Sequence, residues 1–151
     1  MVLRSILLAD DLLEDSAPAL DEAVLLAKTT GAKLTLVTVV SLVSTGFGVP
    51  VPMGDTVPAL LDATRKRLEA QKARILALGV SHVETALLEG DPVEEVVNYA
   101  EKHRPDLIVV GSRGLSAGGR FFLGSVSDGI LHHVRCSVLV AKASSGEKKG
   151  T

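Results

Sequence analysis

Five short aliphatic runs, Ser5–Ala9, Lys33–Val40, Val83–Leu88, Leu107–Val110 and Ser137–Ala141, are separated by four stretches with a helical repeat of apolar residues. The first and fourth runs are apolar almost throughout rather than at alternate positions, as strands covered on both faces must be. Strands of this kind alternating with helices predict an open parallel α/β sheet with helices on both faces and right-handed crossovers.

The intervening stretches carry start and stop signals. Ser16 is placed to cap a helix whose Leu20, Ala23, Val24 and Ala27 recur at three and four residue steps, and Gly31 ends it. From Pro58 the spacing of Leu61, Leu68 and Ile75 among Arg and Lys predicts an amphipathic helix ended at Gly79. Asp91-Pro92-Val93-Glu94 combines an acidic cap, Pro at the first helical position and an acid at the third. The buried stripe expected there is Val93, Val96, Val97 and Ala100, and Pro105 prevents continuation. Ser125 to His133 reads as the last helix.

Residues 41–56 hold Gly46, Gly48, Gly54, Pro50 and Pro52, too many breakers for regular structure, together with Phe47, Val49, Val51 and Met53. This partly apolar loop is a candidate docking site for a protein partner. Beyond Ala143 nothing is available to bury, so residues 1–143 are expected to form the domain and 144–151 a frayed tail. A chain of 151 residues fits a single core.

Composition narrows the partners. Aromatic residues make up only 3% of the chain and Trp is absent, so the stacking platforms that hold single-stranded nucleic acid are missing. Sixteen Lys and Arg against eighteen Asp and Glu give a net charge of -2, which attracts neither polyanions nor anionic membranes in general. Any anion site must be local. Cys136 is the single cysteine, which rules out an internal disulfide. The first apolar run is too short to span a bilayer and is closed by Asp10 and Asp11, so a cytoplasmic protein without a membrane anchor is expected.

Open parallel sheets bind ligands beyond the carboxyl ends of their strands, where strand order reverses. That directs attention to Ala9-Asp10-Asp11 after the first strand and to the segment after the fourth. The latter reads Gly111-Ser-Arg-Gly114, then nine residues, Leu115 to Leu123, then Gly124-Ser125-Val126-Ser127 opening a helix. Gly111 and Gly114 permit positive φ and close approach of main-chain amides to an anion. Gly124 and Ser125 put free amides and a hydroxyl at a helix N-terminus, where the macrodipole favours phosphate. Arg113 can add a charge-assisted contact, and Arg120 either reaches phosphate or is a surface charge. Neither GxxxxGK[ST] nor GxGxxG occurs, so the phosphate grip differs from the P-loop and the dinucleotide fingerprint. A merely flexible glycine loop is the competing reading, and the strand before and helix after the motif argue against it.

The spacing G-x2-G-x9-G-[ST], met at Gly111, Gly114, Gly124 and Ser125, resembles the nucleotide-binding motif of the universal stress protein family, in its ATP-binding branch. The resemblance extends over nearly the whole chain. It includes the acidic end of the first strand, Gly31-Ala-Lys-Leu-Thr-Leu-Val37, Gly90-Asp91-Pro92 and Arg135-Cys136. It implies a Rossmann-like, adenine nucleotide alpha hydrolase-like sheet of five parallel strands in the order 3-2-1-4-5. It further implies a homodimer joined through Ser137–Ala141 and one ATP per subunit. Carried over residue by residue, Ala9, Asp10 and Asp11 border the nucleotide, Asp11 meeting the ribose, and the main chain of Val39 meets adenine. Gly111, Arg113, Gly114, Gly124, Ser125, Val126 and Ser127 would hold phosphates and ribose. Mg2+ is expected with the triphosphate, whose charge would otherwise face one or two arginines. In the family the acid is often followed by Gly-Ser, whereas here Leu12-Leu13 follows.

Other candidates are weaker. His132 and Cys136 have the i, i+4 spacing of metal ligands on one helix, but Cys136 reads better as part of a helix-to-strand turn. No nucleophile elbow or triad fragment is present, and no catalytic residue is assigned. Phe121-Phe122-Leu123 is expected to pack the loop onto the sheet or to dock a partner. The leading function is therefore a nucleotide-dependent regulatory binding module in stress response. A slow ATP hydrolase or adenylyl-transferring enzyme on the same fold is one alternative, though Ala9-Asp-Asp-Leu-Leu13 lacks the Ser-Gly-Gly phosphate loop of the related ATP pyrophosphatases. A nucleotide-free dimeric scaffold is the other.

Overall fold

The structure is a computed structural model that describes residues 2–12, 17–41, 56–112 and 124–142. Ser16, most of the 41–56 loop, Arg113, Gly114, Arg120, Phe121-Phe122-Leu123 and the tail lie outside the described residues. The elements are β1 Ser5–Ala9, α1 Ala17–Thr30, β2 Lys33–Val40, α2 Thr56–Ala77, β3 Val83–Glu89, α3 Pro92–His103, β4 Leu107–Gly111, α4 Ser125–His133 and β5 Ser137–Ala141.

The strands form one parallel sheet in the order β3-β2-β1-β4-β5. β1 lies at the centre, with Ala9 opposite Val37 on one side and Val110 on the other. Consecutive side chains leave a strand on opposite faces, so the central strands feed two cores. Ile6, Leu8, Leu34, Leu36 and Val109 turn to one face, where they meet Leu20, Ala23 and Ala27 of α1 and Leu68 and Ile75 of α2. Leu7, Val37, Ile108 and Val110 turn to the other and meet Val96 and Ala100 of α3 and Ile130 of α4. Each such aliphatic side chain stabilises the fold by roughly 1.5–3 kcal/mol when removed from water.

Local signals set the helix ends. Gly31 takes φ 75° and donates its N–H to the Ala27 carbonyl at 2.9 Å, a left-handed stop that glycine adopts without strain. α3 opens with the Asp91 carboxylate accepting the Glu94 N–H at 2.9 Å and Pro92 in its first turn. It closes on Arg104 in the left-handed region, whose N–H returns to the Ala100 carbonyl at 2.8 Å. The Asp106 carboxylate accepts the N–H groups of Arg4 and Ser5 at 2.8 and 3.0 Å, which locks the starts of β1 and β4 together. α2 begins at Thr56, two residues before the expected Pro58 start, because Pro is accepted anywhere in a first helical turn. β3 and β4 each run one residue further than the aliphatic runs alone suggest, to Glu89 and Gly111.

Candidate functional site

A cleft of about 160 Å³ opens where the sheet order reverses, between the carboxyl ends of β1 and β4. Its floor and one wall are aliphatic: Val37 and Val39 from β2, Val110 from β4, Val96 from α3 and Ile130 from α4. These residues share the α3/α4 face of the sheet, so the cleft is a gap left in that core at its upper edge. A slot with aliphatic walls suits the flat face of a heterocyclic ring.

The mouth is polar. Asp10 follows β1 and is only 5% exposed, with its N–H donated to the Val37 carbonyl at 2.9 Å and its Oδ1 accepting the Leu12 N–H at 3.0 Å. This Asx turn carries the chain through Leu12 at φ 63° and sets Asp11 exposed at the cleft rim. A non-glycine residue in that region is strained, which gives physical content to Leu12 standing where glycine is often found in the resembling family. Leu12 is held by packing of its half-buried side chain against the α1/α2 core.

Opposite Asp11 lies the first turn of α4. Gly124 precedes it as N-cap with φ -63° and ψ 154°, supplying no side-chain cap, and the first intrahelical bond is Asp128 N–H to the Gly124 carbonyl at 2.9 Å. The amides of Ser125, Val126 and Ser127 therefore have no acceptor within the helix and carry the positive end of its dipole. The buried Ser127 hydroxyl donates to the Gly111 carbonyl at 2.5 Å, bracing this turn against the end of β4. Next to it, buried Ser112 directs both its N–H, at 3.1 Å, and its hydroxyl, at 3.4 Å, to the Ala141 carbonyl at the end of β5.

Ala9, Asp10, Asp11, Val39, Gly111, Gly124, Val126 and Ser127 thus line one cleft. Ser125 sits in the same helical turn but is exposed and off the lining. Arg113 and Gly114 lie outside the described residues. The expected reason for Gly111 needs correction: its φ is not positive, it continues β4, and among the described residues a Cβ there would meet only Ala19 Cβ at 3.7 Å, an ordinary contact. Val37, Val96, Val110, Ile130, Pro92 and Ser112 complete the lining without having been foreseen. The strand alternation could have indicated Val37 and Val110, which share a sheet face; Ser112 carried no separate signal.

At the opposite end of α4, His132 and His133 each donate Nδ1–H to the carbonyl four residues back, those of Asp128 and Gly129, both at 2.7 Å. Burial pushes the Cys136 thiol up, with the negative charge of Asp106 adding to the effect. Among the described residues no cluster of three His, Cys, Asp or Glu is placed to hold a metal ion, and no helix is long and apolar enough to cross a membrane.

Residues 3–142 match the sequence profile of the universal stress protein family. Universal stress protein YxiE of Bacillus subtilis is 33% identical over 147 residues, covering 92% of this chain and 99% of that protein. A universal stress protein solved in complex with cAMP is 25% identical with a TM-score of 0.65, covering 95% of this chain and all of that one. The Archaeoglobus fulgidus universal stress protein solved in complex with dAMP has the same fold, with 23% identity and a TM-score of 0.66 over 94% of this chain and all of that one.

Proposed function

Because the chain belongs to the universal stress protein family, we propose that it is a cytoplasmic, ATP-binding regulatory module of that family, working in stress response as a homodimer. The observation that carries this reading is the meeting, in one cleft, of an aliphatic slot and the uncapped first turn of α4. The slot fits adenine, and the amides of Ser125, Val126 and Ser127 fit an anionic phosphate. That two structural relatives were solved with cAMP and dAMP supports an adenine nucleotide as the ligand class.

In this reading Val39 meets the base through its main chain, Ala9 and Asp10 border it, and Asp11 accepts from the ribose. Gly111, Gly124, Ser125, Val126 and Ser127, with Arg113 and Gly114, receive the polyphosphate. Ser127 already spends its hydroxyl proton on the Gly111 carbonyl, which leaves its amide and an oxygen lone pair for the ligand. Mg2+ would be held mainly by phosphate oxygens and water, since among the described residues the carboxylates at the rim come only from Asp10 and Asp11. Bound nucleotide would couple α4 to the loop before it, and a partner would read the resulting surface. β5 is one of the two edges of the sheet, β3 being the other, and pairs only with β4 among the described residues; it leaves Val138, Leu139 and Val140 only half buried, which suits pairing with a second copy.

The test is mass spectrometry of nucleotide released from the purified protein, followed by turnover measurements with Mg2+. Copurified ATP that is lost slowly is the expected outcome. Fast steady turnover would replace the reading with an enzyme, and no nucleotide at any concentration would leave a scaffold. Gly124→Val is expected to abolish binding while the circular dichroism spectrum stays unchanged. Sedimentation at micromolar concentration checks the dimer.

A further inference from the structure

At the opposite pole from the nucleotide cleft, a groove of about 600 Å³ runs between the end of α3 and the turn that joins α4 to β5. Ala100, Pro105, Val134 and Cys136 make an apolar floor, while Arg104 and Arg135 stand on its rim. Both arginines are exposed, and among the described residues neither guanidinium takes part in an ion pair or a side-chain hydrogen bond. Basic residues near helix ends are ordinarily explained by the macrodipole, and that explanation covers Lys102, His103, His132 and His133, which lie in the last turns of α3 and α4. It does not cover Arg135, which follows the helix, faces the groove and has no carbonyl of α4 as partner.

We infer that this groove docks an acidic peptide segment of a partner protein, two carboxylates engaging Arg104 and Arg135 and an aliphatic side chain between them resting on Val134 and Cys136. Arginine suits this because its planar fork takes a carboxylate through two parallel hydrogen bonds. Glu101 on the same rim disfavours a dense polyanion, and with no aromatic side chain on the lining a nucleobase has nothing to stack on. The floor would be idle under inorganic phosphate.

The probe is a capped octapeptide of alternating glutamate and leucine, titrated into the full 15N-labelled chain and followed by amide shifts. Shifts confined to residues 100–106 and 133–137 are expected. So is at least a tenfold loss of affinity in the Arg104→Gln, Arg135→Gln double variant, and a comparable loss in 0.5 M salt, roughly what screening of two contacts implies. Glutamine keeps two of the three side-chain methylenes of arginine at each position, and an unchanged urea midpoint serves as the control for folding. Equal peptide affinity in the double variant would overturn the inference. Identical shifts with millimolar phosphate alone would overturn it too, in favour of a small-anion site. A changed sedimentation coefficient of the double variant would instead assign the groove to contact between copies of this chain.

Discussion

Val93 and Gly129 decide how closely α3 approaches α4. A Cβ on Gly129 would lie 2.7 and 2.9 Å from the two methyl groups of Val93, and a valine has no flexible stem with which to withdraw. Gly129→Ala should therefore destabilise the chain by roughly 1–3 kcal/mol in urea unfolding, and Val93→Ala in the same chain should recover part of that loss. From the sequence, Gly129 is a weak point in a helix with no stated purpose, because packing partners 36 positions apart are not readable from either local pattern. Leu12 was equally opaque: the departure from Gly-Ser was visible, but its left-handed backbone was not. Cys136 gives a pH test. Its raised folded value means that the unfolded chain releases the thiol proton first as pH climbs above about 8.5. Stability is thus unaffected by this group below that pH and falls as pH rises toward the folded value. Urea midpoints at pH 7 and pH 10 should differ less in Cys136→Ala than in the parent chain.

Helix boundaries were the most legible elements, since their causes lie within a few residues. The Asp91 cap, Pro92 and the Gly31 stop all act where the sequence places them. Asp91→Ala should cost about 0.5–2 kcal/mol, measured by thermal unfolding, through the loss of the bond to the Glu94 amide. α4 depends on a contact that no local pattern shows, the Ser127 hydroxyl on the Gly111 carbonyl. Ser127→Ala leaves that carbonyl short of a donor and should destabilise the chain by about 1–3 kcal/mol. The same substitution should weaken ATP binding in calorimetry, because the turn that presents the amides is no longer braced. The spacing of the glycine motif is local and readable in the sequence, and its Gly124, Val126 and Ser127 do lie on the cleft, whereas the aliphatic wall opposite them comes from α3, β2 and β4 and appears only once the faces of the sheet are assembled.

At the scale of the whole molecule, alternation of strands and helices specified a parallel sheet but left several strand orders open, and resemblance to a family was needed to select 3-2-1-4-5. ATP at a hundred times its Kd would add about 2.7 kcal/mol to the folded state, which for a domain of this length raises Tm by roughly 5–10 °C. Absence of any such rise in a thermal melt would contradict nucleotide binding. The order of the strands has one more consequence. β1 precedes the other four strands in the chain yet lies between β2 and β4, and the walls of the cleft draw on residues from Ala9 to Ile130. A growing polypeptide therefore lacks part of the cleft wall until Ile130 has been made, so any ligand that fits this cleft can meet its full lining only after α4 has been synthesised.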